Sequence, residues 1–449
     1  MSDVPHIAVI GAGPCGLGCA RELNNLRHEN WTVYEGSDVP AGHAGSVVDP
    51  LGFTWDFGGH VVFSHYGEFD RLLEEVKGDD VYSHERSSYI RFRDRWVPYP
   101  FQNNLRYLPP EEAYECILGL IEAPGADTSV DFAQWMEGMF GGGITHHFMR
   151  PYNFKVWATP PERMSSQWIG ERVSVIDYKR ALRSMVFQED DAAWGPNNLF
   201  VFPATGGTSE IYRRLARRLG DRITYEREVE LIDVESKTLK FSGGSTESYD
   251  KLVSTMPLDI LVRKLVHCPD NVRAAADDLE HNGVYMVGIG YEMPLKDDVS
   301  WMYFPQDHTP FYRATNFAKY SPANVPDSDT GRYCSYMTET AYSRYKPESR
   351  DDLPERVVKG LRDAGVVEGT PTVASIHLED IPYAYPVPTV KRDDALATIQ
   401  PWLMRHDIYS RGRFGAWKYE IGNMDHAVKM GSDAARLMVN GTPEEAWTL

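Results

Sequence analysis

The sequence is short of the features that define several large protein classes. Its five cysteines (Cys15, Cys19, Cys116, Cys268 and Cys334) are odd in number, scattered, and without the paired spacing of a zinc site. That argues against a disulfide-built framework and fits a reducing compartment. No uncharged apolar run approaches the roughly 20 residues a membrane-spanning helix needs, and "MSDVPHIAVIGAG" carries no basic region leading into a signal-length apolar stretch. Internal repeats and low-complexity tracts are missing too. Positive charge is scarce: 46 lysines and arginines face 65 acids, a formal net charge of -19, which repels nucleic acid and anionic membrane in bulk. The expectation is a cytoplasmic globular protein that neither inserts into a membrane nor binds nucleic acid, and any anionic ligand must be held by locally concentrated arginines.

At 449 residues, 42% hydrophobic and 25% charged, the chain has enough apolar material for two or three cores. "HIAVIGAGPCGLGCARELNNL" is an apolar run, a glycine turn and then a helix with Ala20, Leu23 and Leu26 at helical spacing; "WTVYEGS" follows as a second strand ending at Glu35. From Pro109 to Leu182 the pattern is mainly helical, broken at Gly141 to Gly143 and at Pro160-Pro161. Strand-like segments occupy Ile223 to Met256, and aromatic, β-branched runs fill Gly283 to Pro388. The predicted fold is α/β: a discontinuous Rossmann-like FAD-binding domain (1–105, 190–270 and 400–449), a helical domain (106–189), and a mostly antiparallel-sheet substrate domain (271–399).

Gly11, Gly13 and Gly16 form G-x-G-x-x-G between strand and helix, with Glu35 at the end of the next strand. In that context Gly13 lets backbone approach a pyrophosphate, the helix N-terminus supplies donors, and Glu35 accepts from a ribose hydroxyl. An acid at Glu35 favours an unphosphorylated ribose, as in FAD or NAD. The late return of strand and glycine-rich helix in "SRGRFGAWKYEIGNMDHAVKMG" (Ser410 to Gly431) favours FAD, with Gly412, Gly422, Asn423 and Met424 facing the far end of the cofactor. The stretches "WDFGGHVVFSHY", "WVPYPFQNN", "MRPYNFKVWA" and "WIGERVS" are dense in polar aromatics and charge. Taken alone they also suit a core of tyrosine and tryptophan with satisfied polar tips.

Taken in order, "GGHVVFSHY", "VPYPFQNN", "MRPYNFKVWA", "WIGERV", "AWGPN", "KLVSTMP", "YFPQDHTPFYRAT" and "SRGRFGAWKYEIGNMDH" resemble the UDP-galactopyranose mutases, in particular the fungal and protozoan branch, over nearly the whole chain. The resemblance implies FAD, active in its reduced form with NADPH or NADH as candidate reductant, and interconversion of UDP-galactopyranose and UDP-galactofuranose through a flavin N5–sugar adduct with no net redox change. It places Gly42, Gly59 and His60 beside the flavin and Phe63 near the sugar. Uridine contacts fall on Tyr99, Phe101, Gln102, Asn153 and Trp157. The diphosphate falls to Arg172 and Arg313 with Tyr303, Tyr320, Tyr385 and Tyr419, while Asn197, Arg413 and Asn423 sit near sugar and flavin. His60, Arg172, Arg313 and Arg413 are the implied catalytic set, and no metal is expected. One departure stands out: "PAGHAGS" (Pro40 to Ser46) has Ala41 and His43 where the family usually carries glycine and leucine. Mutases of UDP-N-acetylgalactosamine, UDP-arabinopyranose or a dTDP-sugar, and a flavin amine oxidase or desaturase, are the alternatives; a homo-oligomer is left open.

Overall fold

The computed structural model describes residues 4–77, 81–125, 131–192, 195, 198–296 and 298–448. Its centre is a five-stranded parallel sheet assembled from separated stretches of chain, in the order Ile408–Ser410, Lys251–Ser254, Ile7–Ile10, Trp31–Tyr34, Ile223–Thr224. Register pairs Ile7 with both Trp31 and Lys251, and Leu252 with Ile408. Alternate residues of the first strand feed opposite cores: Ile7 and Val9 pack with Leu17, Leu23 and Val428, whereas Ala8 and Ile10 pack with Val262, Ile399 and Leu403. Both faces are covered, which is why the strand reads as a continuous apolar run instead of an alternating one.

The first helix, Pro14–Asn25, lies against the last, Met424–Asn440. A Cβ on Gly18 would come within 2.7 Å of the Val428 carbonyl oxygen, and one on Gly431 within 2.0 Å of that of Cys15. These glycines let two helices from opposite ends of the chain cross backbone to backbone, and the crossing delivers the N-terminus of the last helix to the glycine turn.

A seven-stranded sheet forms the second layer, ordered Thr372–Val387, Glu280–Glu292, Tyr333–Tyr342, Arg313–Asn316, Trp301–Tyr303, Ser88–Phe92, Arg95–Pro98. Every pairing is antiparallel except that of Trp301–Tyr303 with Ser88–Phe92. Residues 88–98, grouped in sequence with the nucleotide piece, thus belong to this sheet, because their β-rich hairpin completes its otherwise open edge. The helical segment comprises Pro110–Glu122, Phe132–Ile144, Arg150–Trp157 and Tyr178–Phe187. The break that the sequence suggests at Gly141 to Gly143 falls at Gly141, whose φ of 68° and ψ of 177° interrupt the helix in a kink, and a Cβ there would lie 2.1 Å from the Gly119 carbonyl oxygen. The glycines serve a close helix crossing. Among the described residues no helix is long and apolar enough to cross a membrane.

Candidate active site

The glycine turn, the 42–44 turn, the Gly58–Phe63 loop and the N-terminus of the last helix enclose a cavity of about 510 Å³. One end is built from Gly11, Gly13, Glu35 and Gly42. Glu35 is fixed there by accepting from the backbone N–H of Ala12 at 2.6 Å and of Ser37 at 2.9 Å. The three motif glycines have separate jobs. Gly11 has φ 97°, and a Cβ on it would lie 2.2 Å from Thr255 Oγ1, while one on Gly16 would lie 1.9 Å from the Gly11 carbonyl oxygen. A Cβ on Gly13 meets only the Ala41 oxygen at 3.8 Å and Gly42 Cα at 4.0 Å. Gly13 is therefore bare toward open space, a cradle for a group that needs backbone contact. Gly16, expected to touch a cofactor, does not line this cavity; it packs the helix onto its own turn.

The departure at "PAGHAGS" has a structural cost. Ala41 is buried with φ 101° and ψ -21°, a region that costs a residue bearing a Cβ about 1–2 kcal/mol. Glycine removes that strain but loses about 0.5–1 kcal/mol of chain entropy on folding. Ala41→Gly is therefore expected to stabilise by up to about 1.5 kcal/mol, read as a rise in the denaturant midpoint; a fall would mean that the Ala41 methyl supports the turn. His43, the other departure, faces the cavity with its ring 5.6 Å from Phe414.

The other end of the cavity is cationic. Tyr303, Arg313 and Glu339 are directly opposite one another on three neighbouring strands. Glu339 Oε1 accepts from Arg313 Nη2 at 2.6 Å and from the Gly59 N–H at 2.8 Å, and Oε2 accepts from the Tyr312 hydroxyl. Burial pushes the Glu339 carboxyl up, but Arg313 and these donors outweigh it and hold it below the usual range. Glu339 thus fixes Arg313 and the Gly-Gly-His loop together. Sequence reasoning missed it and Tyr312; the available signal was a lone carboxylate in the strand "YCSYMTETAY" at a position whose neighbours are all buried.

Arg172 donates to Asn423 Oδ1 at 2.9 Å and to the Glu420 carbonyl, and lies 5.4 Å from the Tyr419 ring centre. Arg413 donates to the carbonyls of Ala384 and Gly422 and sits over the Tyr385 ring at 4.8 Å. Burial raises the hydroxyl pKa of Tyr385 to about 12, Arg313 working against it, so the hydroxyl stays protonated as a donor. Tyr320 is fully buried and its hydroxyl has no partner among the described residues, a costly state for a polar atom. His60 also has an unpartnered buried Nδ1, and burial, reinforced by Arg413 and Arg313, lowers its pKa to about 4 although Glu339 opposes this. It is neutral at physiological pH.

Sixteen predicted residues line the cavity: Gly11, Gly13, Glu35, Gly42, Gly59, His60, Phe63, Arg172, Arg313, Tyr385, Gly412, Arg413, Tyr419, Gly422, Asn423 and Met424. Tyr99, Phe101, Gln102, Asn153, Trp157, Tyr303 and Tyr320 are outside that lining. Several form an adjoining aromatic layer: Trp157 packs on Tyr419 at 4.7 Å, Phe101 stacks on Phe148 at 4.6 Å, and Tyr99 contacts Tyr303 at 5.1 Å. The Gln102 amide donates to the Ser174 carbonyl, and that of Asn153 to the Met149 carbonyl. Asn197 lies outside the described residues.

A histidine–aspartate group ties the loop to the last helix. Asp425 accepts from the His65 N–H at 3.0 Å, from His65 Nδ1 at 2.7 Å, and pairs with His426 Nδ1 at 3.1 Å. Burial works against ionisation, but the histidine contacts hold its pKa at about 2, below the ordinary 3.8. A depressed folded pKa stabilises above the unfolded value and is lost as pH falls through the folded one. The wild type should therefore lose about 2 kcal/mol more than Asp425→Asn between pH 4 and pH 2. Parallel pH-stability curves for the two proteins would contradict this.

Residues 14–439 match the family described as flavin containing amine oxidoreductase. A crystal structure of reduced UDP-galactopyranose mutase superposes with a TM-score of 0.95 at 39% identity, covering 98% of this chain and 95% of that one. A CLA-producing fatty acid isomerase from P. acnes shares the fold at a TM-score of 0.67 and 14% identity, covering 96% and 98% of the two chains. The zeta-carotene desaturase of Zea mays is 38% identical over 74 residues, only 16% of this chain and 13% of that protein.

Proposed function

Because the chain belongs to the flavin containing amine oxidoreductases, with their α/β fold of parallel sheet and separate antiparallel-sheet layer, we propose that it is an FAD-dependent UDP-galactopyranose mutase, interconverting UDP-galactopyranose and UDP-galactofuranose without net redox change. The likeness to the reduced mutase over 98% of the chain supports this. The observation that carries it is one cavity with a bare Gly13–Gly42 cradle beside Glu35 at one end and Arg172, Arg313 and Arg413 with tyrosine hydroxyls at the other.

The cradle residues suit the pyrophosphate and ribose of FAD: Gly13 permits close approach, Glu35 accepts a hydroxyl, and Asn423 and Met424 present the last helix's N-terminus. Bound in reduced form, FAD would supply the nucleophile. The protein's share is to bind and orient. Arg172 and Arg313 neutralise the diphosphate, and protonated tyrosines donate to its oxygens as UDP departs. His60, whose backbone N–H donates to the Gly58 carbonyl at 2.7 Å, shapes the loop against the reacting atoms. The aromatic layer holding Tyr99, Phe101, Gln102, Asn153 and Trp157 would take the uracil. Three arginines at the substrate end weigh against an apolar polyene or amine there.

Dithionite-reduced protein incubated with UDP-galactopyranose, UDP-N-acetylgalactosamine, UDP-arabinopyranose and a dTDP-sugar should convert the first to its furanose, resolved by chromatography, with flavin still reduced after many turnovers. NADPH or NADH should replace dithionite. Full activity of the oxidised protein, or no furanose product from any of the sugars, would reject the reading.

A further inference from the structure

One side chain facing the cavity has no part in the function proposed above, that of His43. Its backbone is held firmly against the glycine turn. The Ala41 N–H donates to the Ala12 carbonyl at 2.9 Å, the N–H groups of Ala44 and Gly45 donate back to the carbonyls of Ala41 and Gly42, and a Cβ on Gly42 would lie 3.5 Å from Gly13 Cα. Ala41 and Ala44 are buried to either side, in the core that holds Ala12 and Leu17. His43 therefore faces the cavity from a fixed position, with its ring 5.6 Å from that of Phe414.

Two features separate this imidazole from a packing residue. Elsewhere in the chain a histidine ring nitrogen holds the fold: those of His28, His84 and His406 bond the backbone carbonyls of Pro5, Tyr320 and Trp402. Neither ring nitrogen of His43 has a hydrogen-bond partner among the described residues, and the side chain is exposed within the cavity. The contact with Phe414 does not need nitrogen either, since a leucine would make it. The unpartnered nitrogens suit a polar ligand seated in the cavity. His43, His60 and Arg413 are near enough to interact electrostatically, so His43 lies toward the end of the cavity away from the Glu35 ribose site. A dinucleotide whose pyrophosphate sits in the Gly13 cradle extends its other end that way.

We propose, on the reading of this cavity as an FAD site, that His43 donates a ring N–H to the isoalloxazine and favours its reduced form, so that the bound flavin has a higher reduction potential than an apolar side chain at position 43 would give it. The physical reason is charge. Two-electron reduction makes the acceptor atoms of the ring more negative, and a hydrogen bond to a charged acceptor is about twice as strong as one to a neutral acceptor. A donor at this place holds the reduced ring more tightly than the oxidised one, and that difference in affinity is a rise in potential. The reduced form is the one the mutase reading requires. A higher potential keeps more of the protein competent for a given supply of reductant.

Midpoint potentials of the purified, flavin-loaded protein, titrated against reference dyes, test this. His43→Leu, and His43→Met as a second apolar side chain able to adapt to the site, should each lower the ratio of affinities for reduced and oxidised FAD at least about tenfold, a fall of about 30 mV for a two-electron couple. His43→Gln keeps a donor and should fall by less than half as much. Circular dichroism and UDP binding should match wild type in all three. Apolar variants with an unchanged or higher potential, or a Gln variant that falls as far as they do, would overturn the proposal. So would folded apolar variants that lose both forms of FAD alike, because His43 would then grip the phosphates or ribityl chain instead of the ring. A wild type that takes up no FAD would overturn the FAD reading as well, whereas loaded variants with unshifted potentials overturn this proposal alone.

Discussion

Arg313→Ala is expected to lower kcat/KM toward UDP-galactose by at least about 30-fold, the rate equivalent of losing a buried charge-assisted partner worth about 2 to 5 kcal/mol. The structure adds a second loss. Glu339 is only 3% exposed, and removing Arg313 leaves it a buried carboxylate without its counter-ion, a defect of about 3–5 kcal/mol. Burial then pushes the Glu339 carboxyl up with no Arg313 to oppose it, so its folded pKa rises above the unfolded value. A group of that kind stabilises below its unfolded pKa and loses that stability as pH rises. The stability deficit of Arg313→Ala against wild type should therefore shrink on going from pH 8 to pH 5. Adding Glu339→Gln should recover most of the stability at neutral pH and none of the turnover, because the diphosphate still lacks its cation. Arg172→Ala should show the same loss of turnover with little loss of stability, since its partners are the Glu420 carbonyl and Asn423 rather than an acid. Near-wild-type turnover in both arginine variants would show that the anion is held elsewhere.

Gly13→Val should abolish flavin retention in a protein that still folds. A Cβ at Gly13 has 3.8 Å to the nearest atom of the described residues beyond its chain neighbours, so none of them resists it, and the added methyls enter the cradle. Gly16→Val, three residues away in the same motif, should fail differently: its Cβ would sit 1.9 Å from the Gly11 carbonyl oxygen, so soluble protein itself should be lost. Denaturation curves and flavin absorbance of the two variants separate the cases. Tight flavin binding by a folded Gly13→Val protein would place the cofactor outside this cradle.

How much of this was legible in sequence depended on the range of the interaction. The glycine turn, the strand before it and Glu35 lie within one βαβ stretch, and local steric rules dictate what such a stretch does. Periodicity likewise marked the helical segment and the aromatic strands. The interruption at Gly141 was legible, but its packing partner and the role of Gly16 were not, because a glycine's purpose depends on what stands opposite it, and Gly119 and Gly11 come opposite only after folding.

The site divides along the same line. The arginines, the tyrosines and the Gly-Gly-His loop came from the resemblance carried by motifs in order, and the need of an acidic chain to concentrate cations for any anionic ligand agrees with it. Sheet register decided that Glu339 faces Arg313 and also holds Gly59, a partnership that spans 280 residues between Gly59 and Glu339. Helix crossing decided that Asp425 and Asn423 reach His65 and Arg172. Such contacts leave no trace in local periodicity, because their energy comes from burial and charge pairing between segments that only the tertiary fold brings together. The sequence by itself determined which chemistry was available; the tertiary structure decided which side chains hold it in place.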